Sequence, residues 1–538
     1  MNDVLQNQQS LVDLFREACD KHSHRPACTC LGKTLSYAQL DEYSRSFAAF
    51  LQRYTPLQPG DRLAIQLPNI LQYPVVTYGA WRAGLIVVNT NPLYTVSEME
   101  YQFNDAGATA LVAFSSMEEK TDAILATTPI KILITASPTD LHDVPDVKDA
   151  FTAADKASLL ARLDSSEAVV RISFSEALAL GSEEELTQPH IDPYSIAALQ
   201  YTGGTTGVSK GAMLSHRNLV SNTLQMIAHS HDYFREGEEI YVAVLPLYHI
   251  YAFSIHCVAL FHEGGHSILI PNPRYLPSIV EALIPFKFTG FPGINTLFAA
   301  LCHDAAFRKL DFSCLRSTAS GGMSLSPEVG KQWEALTGVA IAEGYGLSEA
   351  SPVISANPPQ KIQTGTVGLP LPHTEVKVVN ADGQSLPANT PGELLVRGPQ
   401  IMQGYWQQTA ATRDVLSDDG WLRTGDIAVI QEDGYLRIVD RLKDLIVVSG
   451  FNVYPNEIEQ LVAKFPQVRE CAAIGVADEK SGEAVKLFIV PATENFDQEA
   501  LLAFLREKLT AYKQPKHLQI LDELPKSNVG KVLKRKLK

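Results

Sequence analysis

An alternation of two hydrophobic periods in the first part of the chain restricts its fold most. The runs DRLAIQLP, LIVVNT and ATALVAF are short and apolar, with the length of buried strands. Between them lie stretches with helical spacing, such as TVSEMEYQFNDAG. Strands and helices in that rhythm form βαβ units, so a body with a parallel sheet is expected. Ahead of it, SYAQLDEYSRSFAAFLQ carries Ser36 and Gln39 at capping-box spacing and sets Leu40, Tyr43, Phe47 and Leu51 on one helical face. Residues 115 to 195 are richer in polar and small residues and read as a surface elaboration.

A chain of 538 residues exceeds what one core usually holds, about 250 to 300 residues. After residue 370 the texture changes: EVKVV, GELLVRG and YLRIVDR are strand-like pieces joined by turn signals at Asp382-Gly383 and Asp433-Gly434. The last hundred residues read as a separate α+β unit. Its helix PNEIEQLVAKF puts Ile458, Leu461, Val462 and Phe465 on one face, VRECAAIGV and AVKLFIV are strands, and EALLAFLREKL is a second helix. Charge divides the same way. Residues 1 to 440 hold 29 Lys and Arg against 47 Asp and Glu, whereas 441 to 538 hold 16 against 13.

An acidic body of this kind disfavours nucleic acid as a partner. Seven scattered cysteines without paired spacing argue for reduced thiols and a cytoplasmic setting. Cys28 and Cys30 near His24, and the cluster His229, His231 and Asp232, could be read as metal-like; buried or solvated side chains are the preferred reading of both. Neither a signal peptide nor a membrane span is expected, since the longest apolar stretch, Val75 to Val88, is short and broken by Arg82.

The stretch YTGGTTGVSKGAMLSH, Tyr201 to His216, has the composition of a phosphate cradle. Gly203, Gly204 and Gly207 let backbone N–H groups approach oxygen, Thr202, Thr205 and Thr206 offer hydroxyls, and Lys210 offers charge. It is not a Walker A loop, because Gly207 precedes Lys210 by three positions, whereas the lysine of that motif follows its glycine directly. A plain glycine-rich turn after SIAALQY is the alternative.

Five motifs in order carry a resemblance: YTGGTTGVSKGAMLSH, EGYGLSEASP, WLRTGDIAV, DRLKDLIVVSGFNVYPNEIE and LPKSNVGK. Together they resemble the acyl-adenylate-forming superfamily, which includes acyl-CoA synthetases, beetle luciferase and peptide-synthetase adenylation domains. The wording is most similar to bacterial long-chain fatty-acid CoA ligases, through NTNPLYT, LPLYHIYAF, NPRYLP, FPGINTLFAAL and GFNVYPNEIE. The resemblance implies an α/β fold: a large N-terminal body of α/β subdomains with a distorted β-barrel-like part, residues 1–440, and a small mobile α+β C-terminal domain, residues 441–538. It also implies ATP-dependent activation of a medium- or long-chain fatty acid to acyl-AMP and pyrophosphate, then transfer to CoA with release of AMP. Transfer to a carrier-protein phosphopantetheine or another acceptor is the alternative, and a nucleotide-binding protein without turnover is a third reading.

Site residues follow from the resemblance position by position. The segment Thr202 to Gly207 with Lys210 would hold the β and γ phosphates, and Thr205 with Glu349 would hold Mg2+. Gly344, Tyr345, Gly346 and Ser348 would bind ATP and AMP, with Tyr345 packing on adenine; Ser348 stands where threonine is commoner in the family. Gly321 and Gly322 match a turn that approaches adenine and the acyl chain. Asp426 and Arg441 match the residues on the ribose hydroxyls. Lys531 matches the catalytic lysine on carboxylate and α-phosphate, with Lys210 and Glu349 as its catalytic companions. Lys443 matches a hinge, and Ser449 and Gly450 a passage for pantetheine. His249, Phe253 and Gly293 would line the acyl pocket, although their stretches have equally the composition of buried core. A homodimer and peripheral membrane contact through the basic end KVLKRKLK complete the expected partners.

Overall fold

The computed structural model describes residues 8–142, 152–163, 169–202, 209–231, 233–526 and 532–537. A seven-stranded sheet runs in the order Val170–Ser173, Ile132–Ala136, Ala108–Phe114, Arg62–Gln66, Ile86–Asn89, Ile196–Thr202, Lys210–Ser215. Every neighbour is parallel except the last pair, which is an antiparallel hairpin. The expected βαβ rhythm is therefore present. Helix Val96–Ala106 follows the Ile86–Asn89 strand and begins with a reciprocal cap between Thr95 and Glu98.

Residues 115 to 195 depart from the expected surface elaboration. They supply the strands Ile132–Ala136 and Val170–Ser173 and the helix Phe174–Gly181, all part of the packed sheet layer. Ile132, Leu133, Ile134 and Phe174 are buried. Each strand is only four or five residues long, too short for its period to stand out from polar flanks.

A nine-stranded sheet forms the second layer of the body. Five parallel steps link Ile341–Gly346, Ser317–Ser320, Gly290–Gly293, Ile240–Ala243, His266–Leu269 and Pro26–Cys30, with antiparallel strands at both edges. Helix Tyr37–Tyr54 starts at the foreseen capping box, where Gln39 N donates to Ser36 Oγ at 3.2 Å and Ser36 N to Gln39 Oε1 at 3.0 Å. Such a cap stabilises a helix by about 1 kcal/mol. Leu40, Tyr43, Phe47 and Leu51 on the expected face are all buried.

The chain groups into two compact units, Met1–Thr374 with Arg397–Gly420, and Glu375–Val396 with Trp421–Lys538. The expected barrel-like part is an open four-stranded sheet, Glu375–Val379, Gly392–Arg397, Leu422–Ile430, Leu436–Arg441. Closure would need its first and last strands to pair, and that pairing is absent among the described residues. Gly383 and Gly434, the foreseen turn glycines, have φ of +79° and +86°.

The α+β part of the second unit is a sheet of Phe451–Val453, Ile446–Val448, Gly482–Pro491 and Val468–Asp478, with His517–Ile520 added in parallel. Helices Pro455–Val462 and Gln498–Lys508 bury Ile458, Val462, Leu501 and Leu505 against it. No helix among the described residues is long and apolar enough to cross a membrane.

Candidate active site

In the larger unit the strands that flank the glycine-rich stretch, Ile196–Thr202 and Lys210–Ser215, pair as an antiparallel hairpin. Thr202 and Lys210 are register partners at its mouth, Ser209 Oγ donates to Thr202 O, and Tyr101 OH donates to Ser209 O at 2.7 Å. Gly203, Gly204, Thr205, Thr206 and Gly207 lie outside the described residues. What the structure fixes is therefore the two ends of the expected cradle.

Lys210 begins the last strand of the seven-stranded sheet, and a strip of chain from Met402 to Trp406 runs along the outer side of that strand. Met213 N donates to Gly404 O at 2.9 Å, Gln403 N to Met213 O at 3.0 Å, and Trp406 N to Gly211 O at 2.8 Å. Ala212 and Tyr405 form an antiparallel bridge. These bonds set the Tyr405 ring beneath Lys210, whose Nζ is 5.1 Å from the ring centroid.

Glu349 reaches the same tyrosine from the other sheet. It sits in the single turn Ser348–Ala350 after the Ile341–Gly346 strand. Its backbone oxygen accepts from Met402 N at 2.8 Å, and its Oε1 accepts from Tyr405 OH at 2.8 Å. Burial, reinforced by the Glu349 carboxylate, pushes the Tyr405 phenol well above its ordinary value, so it stays protonated and donates. Lys210, Tyr405 and Glu349 thus form one line drawn from three distant stretches. Sequence reasoning found the outer two and missed Tyr405, for which QGYW holds no periodic or charge signal.

Tyr345 precedes Glu349 on the strand that pairs with Val353–Ala356, opposite Ser355. The strand turns sharply after it, and a Cβ at Gly346 would lie 2.1 Å from Pro352 O, so only glycine fits there. Gly321 lies against the same region, since its Cβ would stand 3.7 Å from Gly344 O and 3.4 Å from the Tyr251 ring. Gly322 has φ +78°. Glu343, on the same strand, accepts from Leu325 N at 3.1 Å, and burial raises its carboxyl.

The three expected acyl-pocket residues are placed as follows. His249 Nδ1 accepts from Tyr251 N at 3.3 Å and caps the short helix Ile250–Ala252. Phe253 is fully buried, with its ring 5.8 Å from Trp81. Gly293 faces Phe298, 2.7 Å from where a Cβ would be. Residues Phe253–Ala259 form a π-helical turn, and wide turns of that kind are frequent at functional sites. Of the residues weighed as metal-like, Cys28 and Cys30 are buried, Cys30 Sγ donates to Asn69 O at 3.6 Å, and Asp232 lies outside the described residues.

In the smaller unit Asp426 and Arg441 are register partners, with Arg441 Nε 3.1 Å from Asp426 Oδ1. Asp426 N donates to Thr424 Oγ1 at 3.1 Å. Lys443 lies in the turn Leu442–Asp444 that follows. Ser449 and Gly450 are the two central residues of a hairpin between Val448 and Phe451. Their φ values, +52° and +84°, match the tight hairpin turn that suits twisted strands.

Lys531 lies outside the described residues, but its flanks are anchored. Lys526 bridges Val532, Leu533 N donates to Pro525 O at 2.7 Å, and Lys526 and Lys534 pair with Glu470 at 2.6 Å and Glu459 at 2.8 Å. Asp440, just before Arg441, accepts from Asn456 N and Arg441 N, both at 2.8 Å. Burial pushes its carboxyl up to about 6.

Residues 15–406 match the family model described as AMP-binding enzyme, and residues 457–531 match that of the AMP-binding enzyme C-terminal domain. A long-chain-fatty-acid–CoA ligase of Escherichia coli O6:H1 is 46% identical over 532 residues, 98% of this chain and 94% of that protein. A feruloyl-CoA synthase of Amycolatopsis is 31% identical over 95% of each chain. Among solved structures, ATP-bound MatB from Rhodopseudomonas palustris superposes with a TM-score of 0.85 at 30% identity, covering 98% of each chain.

Proposed function

The chain belongs to the AMP-binding enzyme family, and from that premise we propose that it is a long-chain fatty-acid CoA ligase. The observation that carries this reading is the 46% identity to a long-chain-fatty-acid–CoA ligase along 98% of the chain. The convergence of Lys210, Tyr405 and Glu349 at the mouth of the glycine-rich hairpin supports it independently.

A carboxylate is a poor acyl donor because oxide would have to leave. In the first step a carboxylate oxygen of the fatty acid attacks the α-phosphorus of ATP, the bond to the bridging oxygen breaks, and pyrophosphate departs. In the second the CoA thiol, losing its proton, attacks the acyl carbonyl and AMP departs. The first step needs alignment and charge neutralisation above all.

The residues divide that work as follows. Thr202 through Gly207 with Lys210 bind the β and γ phosphates. Glu349 with Thr205 would hold Mg2+, and the fit is chemical: an oxygen-only donor set with few protein ligands suits a cation that keeps several waters. When bound, that cation screens phosphate charge. Tyr345 with Gly321 and Gly322 receives the adenine end, Gly344, Gly346 and Ser348 bind the nucleotide beside it, and Asp426 with Arg441 binds the ribose hydroxyls. Lys531 neutralises the carboxylate and α-phosphate oxygens. Lys443 serves as the hinge that divides residues 1–440 from 441–538, and Ser449 and Gly450 admit the pantetheine thiol in the second step. His249, Phe253 and Gly293 contribute to the acyl pocket. Peripheral contact of the basic terminal run with anionic bilayers, a homodimer and a cytoplasmic setting belong to the same proposal.

The deciding experiment follows AMP and pyrophosphate with acids of eight to eighteen carbons, with and without CoA. CoA-dependent AMP release that peaks on long acids is the expected result. Pyrophosphate exchange without CoA-dependent turnover would redirect the second step to a carrier-protein thiol, and no turnover on any acid would overturn the fatty-acid reading.

A further inference from the structure

We propose that Tyr405 is a positioning residue that keeps the two opposite charges of the phosphate end apart and sets each one separately, its hydroxyl holding Glu349 and its ring face holding Lys210. This rests on the reading of Glu349 and Lys210 as cation and phosphate ligands.

A lysine and a glutamate brought to one place tend to pair, and a pair spends on itself the charges that a nucleotide and its cation require. Among the described residues no ion pair joins Lys210 to Glu349. Tyr405 stands between them. Its hydroxyl is 2.8 Å from Glu349 Oε1, a neutral donor that holds the carboxylate without neutralising its charge. Its ring centroid is 5.1 Å from Lys210 Nζ, within the range at which a ring face attracts an ammonium group without taking its hydrogen-bond donors.

The tyrosine can do this because its own position is fixed on every side. It is 9% exposed. Backbone bonds from both neighbours, Gly404 and Trp406, tie it to the Lys210–Ser215 strand, and its N–H donates to Thr412 Oγ1 at 2.9 Å. Met402, three residues before it, donates to the Glu349 backbone oxygen, so the strip carrying Tyr405 also fixes the turn carrying its partner. Supporting residues of this kind typically change metal affinity by about 10- to 100-fold when removed.

The test compares full-length wild type, Tyr405→Phe and Tyr405→Met, each checked for a cooperative thermal transition, with Tyr405→Leu as a second ring-less variant should Tyr405→Met not fold. Free Mn2+ is followed by electron paramagnetic resonance in the presence of ATP, and ATP binding is measured by calorimetry in EDTA. Tyr405→Phe keeps the ring, so it is expected to weaken Mn2+ binding about 10-fold while leaving metal-free ATP binding at the wild-type level. The ring-less variant is expected to weaken both. Wild-type Mn2+ affinity in Tyr405→Phe, or wild-type metal-free ATP affinity in the ring-less variant, overturns the proposal. Failure of the wild type itself to bind Mn2+ with ATP would instead overturn the reading on which it rests.

Discussion

Arg441 Nε lies 3.1 Å from Asp426 Oδ1, and the two residues are register partners across adjacent antiparallel strands. The pair couples two functions in one geometry, because the guanidinium that steadies the aspartate is itself a candidate ribose ligand. Asp426 is 3% exposed, so its carboxylate cannot swing away.

Asp426→Ala is expected to raise the KM for ATP by roughly 10- to 100-fold, the equivalent of about 1.5 to 3 kcal/mol for hydrogen bonds to a charged group. Arg441→Ala, which leaves a buried carboxylate without its cation, is expected to lower both ATP affinity and the thermal midpoint. Steady-state kinetics in ATP with a melting curve for each variant checks this; unchanged KM in both would remove the pair from the ribose site.

Gly450 is open to solvent on the side a Cβ would take, so its requirement within its own unit is conformational, φ +84°. Gly450→Leu should therefore cost about 1 to 3 kcal/mol of local stability and leave ATP–pyrophosphate exchange running. CoA-dependent AMP release should fall much further than exchange. Equal losses in the two assays would argue against a pantetheine passage at this turn.

Lys531→Ala should abolish most acyl-AMP formation, by at least about 100-fold, as expected when a preorganised transition-state charge is removed. Hydrolysis of pre-formed acyl-AMP or its reaction with CoA should be spared, because that step needs no charge on the α-phosphate attack. Loss of both steps alike would assign Lys531 to structure.

Asp440 gives a pH signature. Its folded carboxyl titrates near 6, above the ordinary 3.8, because of burial. The folded state thus binds the proton more tightly than the unfolded chain, so this group's contribution to stability is greatest below about 4 and declines as pH rises through 6. The decline amounts to about 3 kcal/mol at most. Denaturant midpoints of wild type and Asp440→Asn should diverge in favour of the variant between pH 4.5 and 7; a constant difference would refute the assignment.

The parts of the fold legible in the sequence were those governed by near neighbours. Ser36 and Gln39 are three residues apart, and their cap formed as read. The same holds for the turns at Gly383 and Gly434 and for the buried faces of the two C-terminal helices. The strands Ile132–Ala136 and Val170–Ser173 were not legible because four or five residues give barely two alternations. Nor was the open sheet of residues 375–441, since closure depends on whether distant strands meet. Tyr405 shows the limit most sharply. Its partner is 56 residues away, and nothing in the intervening pattern marks the contact, whereas the glycine-rich and acidic motifs around it announce themselves locally.

The strip Met402–Trp406 has one more consequence. Without it, the Lys210–Ser215 strand would present a row of unpaired N–H and C=O groups, a template on which a second chain could add a strand. The stretch that orders the charged end of the site is therefore also the guard on the sheet's open border. Mild heating that peels this strip away should cost nucleotide binding and start self-association together, while the rest of the sheet is still folded.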